Sequence, residues 1–203
     1  MLNRNAQAPS LQSIRVIAAI ATGMVVLVAQ TRGIAQARAE RGIYEAVIKM
    51  LVRGDLPSKL VIRTPHLVFP VPSTMELGPL GPASGTLQTK VQAARPSQAE
   101  SINVESFPAG TQFVAKEEID EIFRTAPRGN SPDSRWIPFR ERFNATSYQA
   151  FSRPIVTDDG LDALVYYQHA CGSLCGESGY VWLHRSSTAD AWMVARRLVK
   201  SVS

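Results

Sequence analysis

The chain has 203 residues, of which 22 are basic and 17 acidic, giving a formal net charge of +5 at pH 7. Three of these charges, on Arg4, Arg15 and Arg32, belong to an N-terminal segment, residues 1–37, that contains no acidic residue. Without this segment the positive excess is small, so the charge gives no support to nucleic-acid binding.

Residues 1–37 are predicted to be a signal peptide. Residues 16–29 form an apolar or small-residue stretch that is shorter than the roughly 20 residues of a membrane-spanning helix. Ala35-Gln36-Ala37 has the small-x-small pattern of a signal peptidase site, which predicts cleavage after Ala37, with cleavage after Ala29 as the alternative. The protein is therefore expected to be periplasmic or secreted, with no stable membrane span after cleavage. The alternative is an uncleaved N-terminal segment that anchors it in the inner membrane.

Residues 38–69 are predicted to form an N-terminal helix and a short strand. From Gly42 to Val52, apolar residues recur at helical spacing, and the opposite face carries charges of both signs. The mixed face favours a core-facing helix over a helix that lies on a membrane surface. The strand is expected at residues 59–63.

Residues 70–110 are predicted to be a connector. Residues 70–85 contain four prolines and three glycines, which exclude a long helix or a central strand. Leu87 and Val91 give only a weak helical signal. A loosely packed connector is one interpretation, and a partner-binding loop is the other.

Residues 111–203 are predicted to form the α+β core domain. After a short extended segment at 111–114, residues 116–124 place Ile119, Ile122 and Phe123 on one helical face. Ala115 precedes this helix, where a hydroxyl or acidic cap would be expected. Trp136, Phe139 and Phe143 then match one face of a second short helix.

The last part of the chain changes to an extended pattern. Four strands are predicted, at residues 148–156, 161–169, 180–185 and 192–202, and an Asp-Gly turn at 157–160 joins the first two. Short loops make sequential strands pair antiparallel. The predicted fold is α+β, a four-stranded antiparallel β-meander in the C-terminal half with helices packed on one face.

The two cysteines, Cys171 and Cys175, lie four residues apart between two predicted strands, with Gly172 and Gly176 beside them. In an oxidising compartment such a pair favours a disulfide that fixes the turn. Redox exchange is an alternative, although it ordinarily uses two intervening residues. A metal site is the other alternative, with ligands from His169, Cys171, Cys175 and either His184 or Glu177, although this spacing matches no standard zinc pattern.

The cysteine loop and its flanks resemble those of a family of small exported bacterial proteins of unassigned function. The shared pattern is an Ala-Leu-Val-Tyr strand at 163–166, the Cys-Gly-x-Leu-Cys-Gly loop at 171–176, Gly179-Tyr180 and the Trp-x-Val strand at 192–194. The resemblance covers most of residues 112–203, and the Pro/Gly-rich stretch has no counterpart in it. It implies an exported α+β domain and brings no catalytic residues.

No other catalytic group is predicted. Ser152, His169 and Asp158 have the residue types of a catalytic triad, but no Gly-x-Ser-x-Gly motif supports that assignment. Asp158 and Asp159 are interpreted as turn residues, and His66 and His184 have no defensible partners in the sequence. The sequon Asn144-Ala145-Thr146 is a short pattern that occurs often by chance.

The resulting functional prediction is an exported, non-enzymatic protein without a cofactor, which binds a protein or a small ligand through the sheet and the cysteine-loop end. The alternative is a thiol-active or metal-dependent enzyme centred on Cys171, Cys175 and His169.

Overall fold

The computed structural model describes residues 38–53, 59–70, 72, 84–93, 103–127, 129, 131–172 and 175–202. The predicted signal peptide and most of the Pro/Gly-rich stretch lie outside these residues. None of the helices in the described part of the chain combines the length and the hydrophobicity needed to cross a bilayer.

The described helices are helix α1 (38–52), α2 (Ser84–Ala93), α3 (Lys116–Thr125) and α4 (Ile137–Phe143), with 3-10 turns at Val104–Ser106 and Pro132–Trp136. The strands are β1 (Leu60–Thr64), β2 (Thr111–Ala115), β3 (Tyr148–Phe151), β4 (Ile155–Val156), β5 (Asp162–Ala170), β6 (Glu177–His184) and β7 (Met193–Val202). The predicted helices and strands of residues 38–69 and 111–203 are all present, with bounds that differ by a few residues.

The strands form one mixed sheet of seven strands in the order β2-β1-β3-β5-β6-β7, with β4 paired to β5. The α+β class is confirmed, but the prediction of a four-stranded antiparallel meander is wrong. β1 pairs in parallel with both β2 and β3. Through β3, the strands β1 and β2 extend the antiparallel C-terminal part of the sheet. Strands that pair in parallel are far apart in the sequence, so no local turn sequence indicates their pairing.

One face of the sheet is covered by α1. Ile43, Tyr44, Val47 and Ile48 are completely buried, and they pack in one cluster with apolar residues of β1, β3, β5 and β6. The prediction of a core-facing helix is confirmed. Trp192, which precedes β7, is also buried in this cluster.

The opposite face is also covered, so the prediction of helices on one face is wrong. Over β1 and β2, the residues Ile119 of α3 and Phe139 of α4 are buried in a cluster with Trp136. Over β5, Leu87 and Val91 of α2 are completely buried. The weak helical signal at Leu87 and Val91 thus corresponds to helix α2. The central strands pack against helices on both faces because their side chains are apolar on both.

The predicted strand 148–156 is divided into β3 and β4. Pro154 lies between them and has no N–H group for a sheet ladder. Ser152 continues the pairing with β5 between these two strands. Its N–H donates to the carbonyl of Tyr166 at 2.9 Å, and its hydroxyl accepts from the N–H of Tyr166 at 2.9 Å. The predicted Asp-Gly turn is confirmed, and Gly160 adopts a positive φ of 71° there.

Candidate functional site

A disulfide joins Cys171 and Cys175 in the short connection between β5 and β6. The two Cα atoms lie 5.4 Å apart, and Gly172 reaches a φ of +134° that other residues rarely adopt. An ideal Cβ at Gly172 would lie 3.2 Å from the carboxylate oxygen Oδ1 of Asp133, so the loop lies against the turn that precedes α4. The predicted disulfide is confirmed, and the bonded sulfurs carry no titratable thiol.

A cluster of polar side chains lies next to this disulfide on the α1 face of the sheet. Its members, called the polar cluster from here on, are Gln149, Tyr167, His169, Glu177 and Arg197. Register pairs Gln149 with His169 and His169 with Glu177, so these three residues form a row across β3, β5 and β6. Directly opposed residues of an antiparallel pair share a face, which brings the row together beyond the apolar core.

Arg197 reaches from β7 across β6 to β5. Its Nε donates to the hydroxyl oxygen of Tyr167 at 2.8 Å, and its guanidinium forms an ion pair with the carboxylate of Glu177. Tyr167 pairs in register with Gly179, and an ideal Cβ at Gly179 would lie 2.0 Å from the carbonyl oxygen of Leu198. Position 179 therefore requires a residue without a side chain. Gly179 also leaves room for the guanidinium group of Arg197 to reach the hydroxyl group of Tyr167.

His169 is half-buried beside Gln149, with 3.2 Å between Nδ1 of His169 and Nε2 of Gln149. Burial, and secondarily the positive charge of Arg197, lower the pKa of His169 below its ordinary value of 6.5. A neutral ring accepts the amide hydrogen at Nδ1 and carries its own hydrogen at Nε2. Oε1 of Gln149 is buried and has no hydrogen-bond partner among the described residues.

The polar cluster was only partly predicted. His169 and Glu177 had been named from the sequence as possible metal ligands beside the cysteine loop, whereas Gln149, Tyr167 and Arg197 had not been named. Arg197 was not predicted, because strict alternation of side chains along β7 would place Val194 and Arg196 on the α1 face and Arg197 on the other. A register shift between Trp182 and Leu183 instead puts Val194 and Arg197 opposite Leu183 and Val181, on the α1 face.

The other two histidines have structural partners. His66 is buried, with its Nδ1 3.1 Å from the carbonyl oxygen of Phe151, and its ring is stacked near Tyr44. Asp162 accepts hydrogen bonds at Oδ1 from Nε1 of Trp182 at 2.8 Å and from Nδ1 of His184 at 3.0 Å. These contacts join β5 to β6 at the end of the sheet opposite the disulfide.

Ser152, His169 and Asp158 each bond to a different partner. Ser152 is completely buried and donates its hydroxyl hydrogen to the carbonyl of Arg153 at 3.1 Å. Asp158 forms an ion pair with Lys90 of α2. None of the hydrogen bonds of the described residues links the three as a catalytic triad would require.

The neighbouring Asp159 accepts hydrogen bonds from the hydroxyl of Thr157 at 2.6 Å and from the N–H of Leu161 at 3.0 Å, which lower its pKa. This is the turn role that the sequence indicated for Asp159. Asn144 of the sequon ends α4 in the left-handed conformation, with a φ of 50°.

His184 lies apart from the other suggested metal ligands, and Cys171 and Cys175 are joined in the disulfide. Glu177 and His184 are the two ends of β6, about 23 Å apart at the usual rise of a strand, so His184 lies far from the disulfide. Within the described ranges, no group of three His, Cys, Asp or Glu side chains is arranged to hold a metal ion.

Two open grooves flank the N-terminal end of α1, and Arg38 lines both of them. One, of about 460 Å³, also contains Arg41, Phe107 and Phe113. The other, of about 500 Å³, contains Lys49, Arg185 and Trp192. The second groove lies at the end of the sheet opposite the disulfide, because its residues 185 and 188–192 follow the end of β6 at His184.

Comparison with protein families, curated proteins and solved structures found no match to this chain.

Proposed function

We propose that this chain is an exported, non-enzymatic binding module that contacts a protein or a small ligand through the sheet and its disulfide end. The observation that carries the proposal is the Cys171–Cys175 disulfide. Such bonds persist in oxidising compartments outside the cytoplasm. This bond also occupies the two sulfurs that a thiol-active enzyme would use, so the loop acts as a fixed support.

The N-terminal sequence supports export. Residues 1–37 combine Arg4 and Arg15, the apolar stretch 16–29 and the small-x-small site Ala35-Gln36-Ala37, which is the layout of a signal peptide. Cleavage after Ala37 would remove none of the residues that build the described fold. The protein would then act in the periplasm or be secreted, as a member of the exported bacterial family that its cysteine loop resembles.

The side-chain chemistry at the disulfide end supports binding rather than turnover. Glu177 and Arg197 are paired with each other, Tyr167 is completely buried, and His169 is engaged by Gln149. A general base or nucleophile needs an accessible reacting atom, and these groups are committed to one another. The cluster therefore holds four strands, β3, β5, β6 and β7, in a fixed arrangement on which a partner surface can depend.

The intact mass of the protein recovered from a bacterial periplasm tests export and oxidation together. We expect the mass of residues 38–203 minus two hydrogens, with no alkylation by iodoacetamide before reduction and two additions after it. Full-length protein with both thiols open to alkylation, recovered from the cytoplasm, would contradict the proposal.

A second assay separates binding from catalysis. The purified protein is expected to turn over no thiol, ester, glycan or peptide substrate at a rate that depends on one side chain. A rate that is lost on Cys171→Ser or His169→Asn would favour the thiol-active enzyme instead.

A further inference from the structure

We propose that the outer edge of β7 binds an extended peptide segment in which acidic and apolar residues alternate, so that the segment adds a strand to the sheet. This inference rests on the proposed binding function and names the chemistry of the partner.

β7 offers a long strand edge. It spans ten residues, Met193–Val202, and among the described strands it pairs only with β6. Every second backbone N–H and C=O of an edge strand points away from the sheet, and an extended segment can pair with these groups. Seven of its ten residues are exposed, and no other strand in the described part of the chain pairs with its outer edge.

The two faces of β7 differ in chemistry. Val199 and Val202 pair in register with Gly179 and Glu177, which places them on the α1 face, and they are 49% and 73% exposed. The opposite face carries exposed basic residues. Arg196 pairs with Trp182 on that face, and the Nζ of Lys200 lies 5.6 Å from the ring centre of Tyr180.

A strand added beside β7 would present its own side chains alternately to these two faces. On one face they would meet valine side chains, and on the other they would meet positive charge. That positive charge belongs to Arg196 and Lys200, whereas Arg197 lies on the α1 face in an ion pair with Glu177, and Met193–Val202 contains no acidic residue. Acidic residues at alternate positions, with apolar residues between them, therefore complement both faces.

A second copy of this chain fits the edge poorly. Antiparallel pairing of two β7 strands would bring Arg196, Arg197 and Lys200 close to the same residues of the other copy. Like charges that face each other across strands are destabilising. The charge of the edge therefore selects an acidic segment over self-association.

The test uses residues 38–203 and a fluorescent ten-residue peptide with glutamate at alternate positions and valine or threonine between them. We expect saturable binding that weakens as salt is added, and amide shift changes in NMR spectra that are confined to β7 and the adjacent residues of β6. A peptide with lysine in place of each glutamate serves as the sequence control and should not bind.

The matched protein variants are Arg196→Glu with Lys200→Glu, and Lys49→Glu with Lys59→Glu. Both pairs change the net charge equally and involve exposed side chains, but Lys49 and Lys59 lie on α1 and before β1. The β7 pair should weaken binding about tenfold or more, because each reversal replaces an attraction between opposite surface charges by a repulsion. The control pair should bind within about twofold of the unchanged protein.

Equal affinities of the two variant pairs, binding of the lysine peptide, shift changes away from β7 or dimerisation through β7 would each overturn the inference. So would the absence of any peptide binding at millimolar concentration. None of these results changes the outcome of the mass and turnover assays. A failure of the peptide-binding inference can therefore be told apart from a failure of the proposed function.

Discussion

Arg197 connects three strands through one guanidinium group, since it lies on β7, donates to Tyr167 of β5 and pairs with Glu177 of β6. Tyr167 is completely buried, and the side chain of Glu177 is 20% exposed. Arg197→Met should lower the free energy of unfolding by about 1–3 kcal/mol, because it leaves a buried hydroxyl and a carboxylate without their donor.

The neighbouring Arg196 provides the control for this substitution. It is exposed on the other face of β7, so Arg196→Met should change the free energy of unfolding by no more than about 0.5 kcal/mol. Urea unfolding of the two variants measures the difference. Equal effects would show that the link from β7 to Tyr167 contributes nothing to stability.

His169 should make the protein less stable in mild acid. Because burial and Arg197 lower its pKa in the folded state, the unfolded chain takes up a proton first as the pH falls through 6.5. Uptake by the unfolded chain lowers the free energy of unfolding until the pH is below the folded-state pKa. His169→Asn has no titrating ring, so its stability should fall less between pH 7 and pH 5.

The carboxylates contribute alike to both proteins, so the difference between their two pH profiles isolates His169. Its pKa can also be followed directly by NMR of the ring carbon-bound hydrogens. A pKa at or above 6.5 in the folded protein, or parallel stability profiles, would disprove this prediction.

At the scale of elements, the disulfide is expected to fix the β5–β6 hairpin locally. A closed loop of five residues restricts the unfolded chain by only about 2 kcal/mol. Cys171→Ser with Cys175→Ser should therefore leave the protein folded but lower its melting temperature. Hydrogen exchange should accelerate at the joined ends of β5 and β6, near Ala170 and Glu177.

Exchange in β1, which lies at the other side of the sheet, should stay unchanged and is the internal control. Reduction of the unsubstituted protein should reproduce the same local acceleration. A global loss of protection would show that the bond holds the whole domain, contrary to our expectation.

The elements were easier to predict from sequence than their arrangement. Helical spacing gave α1, α3 and α4, and alternation with turn residues gave β5, β6 and β7, because these signals are local. The parallel pairing of Leu60–Thr64 with Thr111–Ala115 depends on contacts across about fifty residues, which no local pattern encodes. The candidate site was incomplete for the same reason, since Gln149 and Arg197 meet His169 only through strand register.

At the scale of the whole molecule, the sheet is a middle layer between α1 and the other helices. The residues before the sheet are thus part of the same core as the C-terminal strands, because α1 packs on β1, β3, β5 and β6 together. A three-layer arrangement of this kind hides apolar strand residues on both sides from water. It follows that the fold needs α1, whereas it should not need the predicted signal peptide.

Two truncations test this dependence. A chain that begins at Arg38 keeps every described residue, and it should unfold cooperatively with well-dispersed NMR spectra. A chain that begins at Asp55 lacks α1 and exposes the apolar face on which four completely buried side chains, including Tyr44 and Ile48, had packed. Each large apolar side chain that is buried contributes about 1.5–3 kcal/mol, so the joint loss of four is comparable with the whole stability of a typical domain, about 5–15 kcal/mol. We expect this shorter chain to show no cooperative thermal transition by circular dichroism, and a cooperative one would mean that the strands and remaining helices form a core without α1.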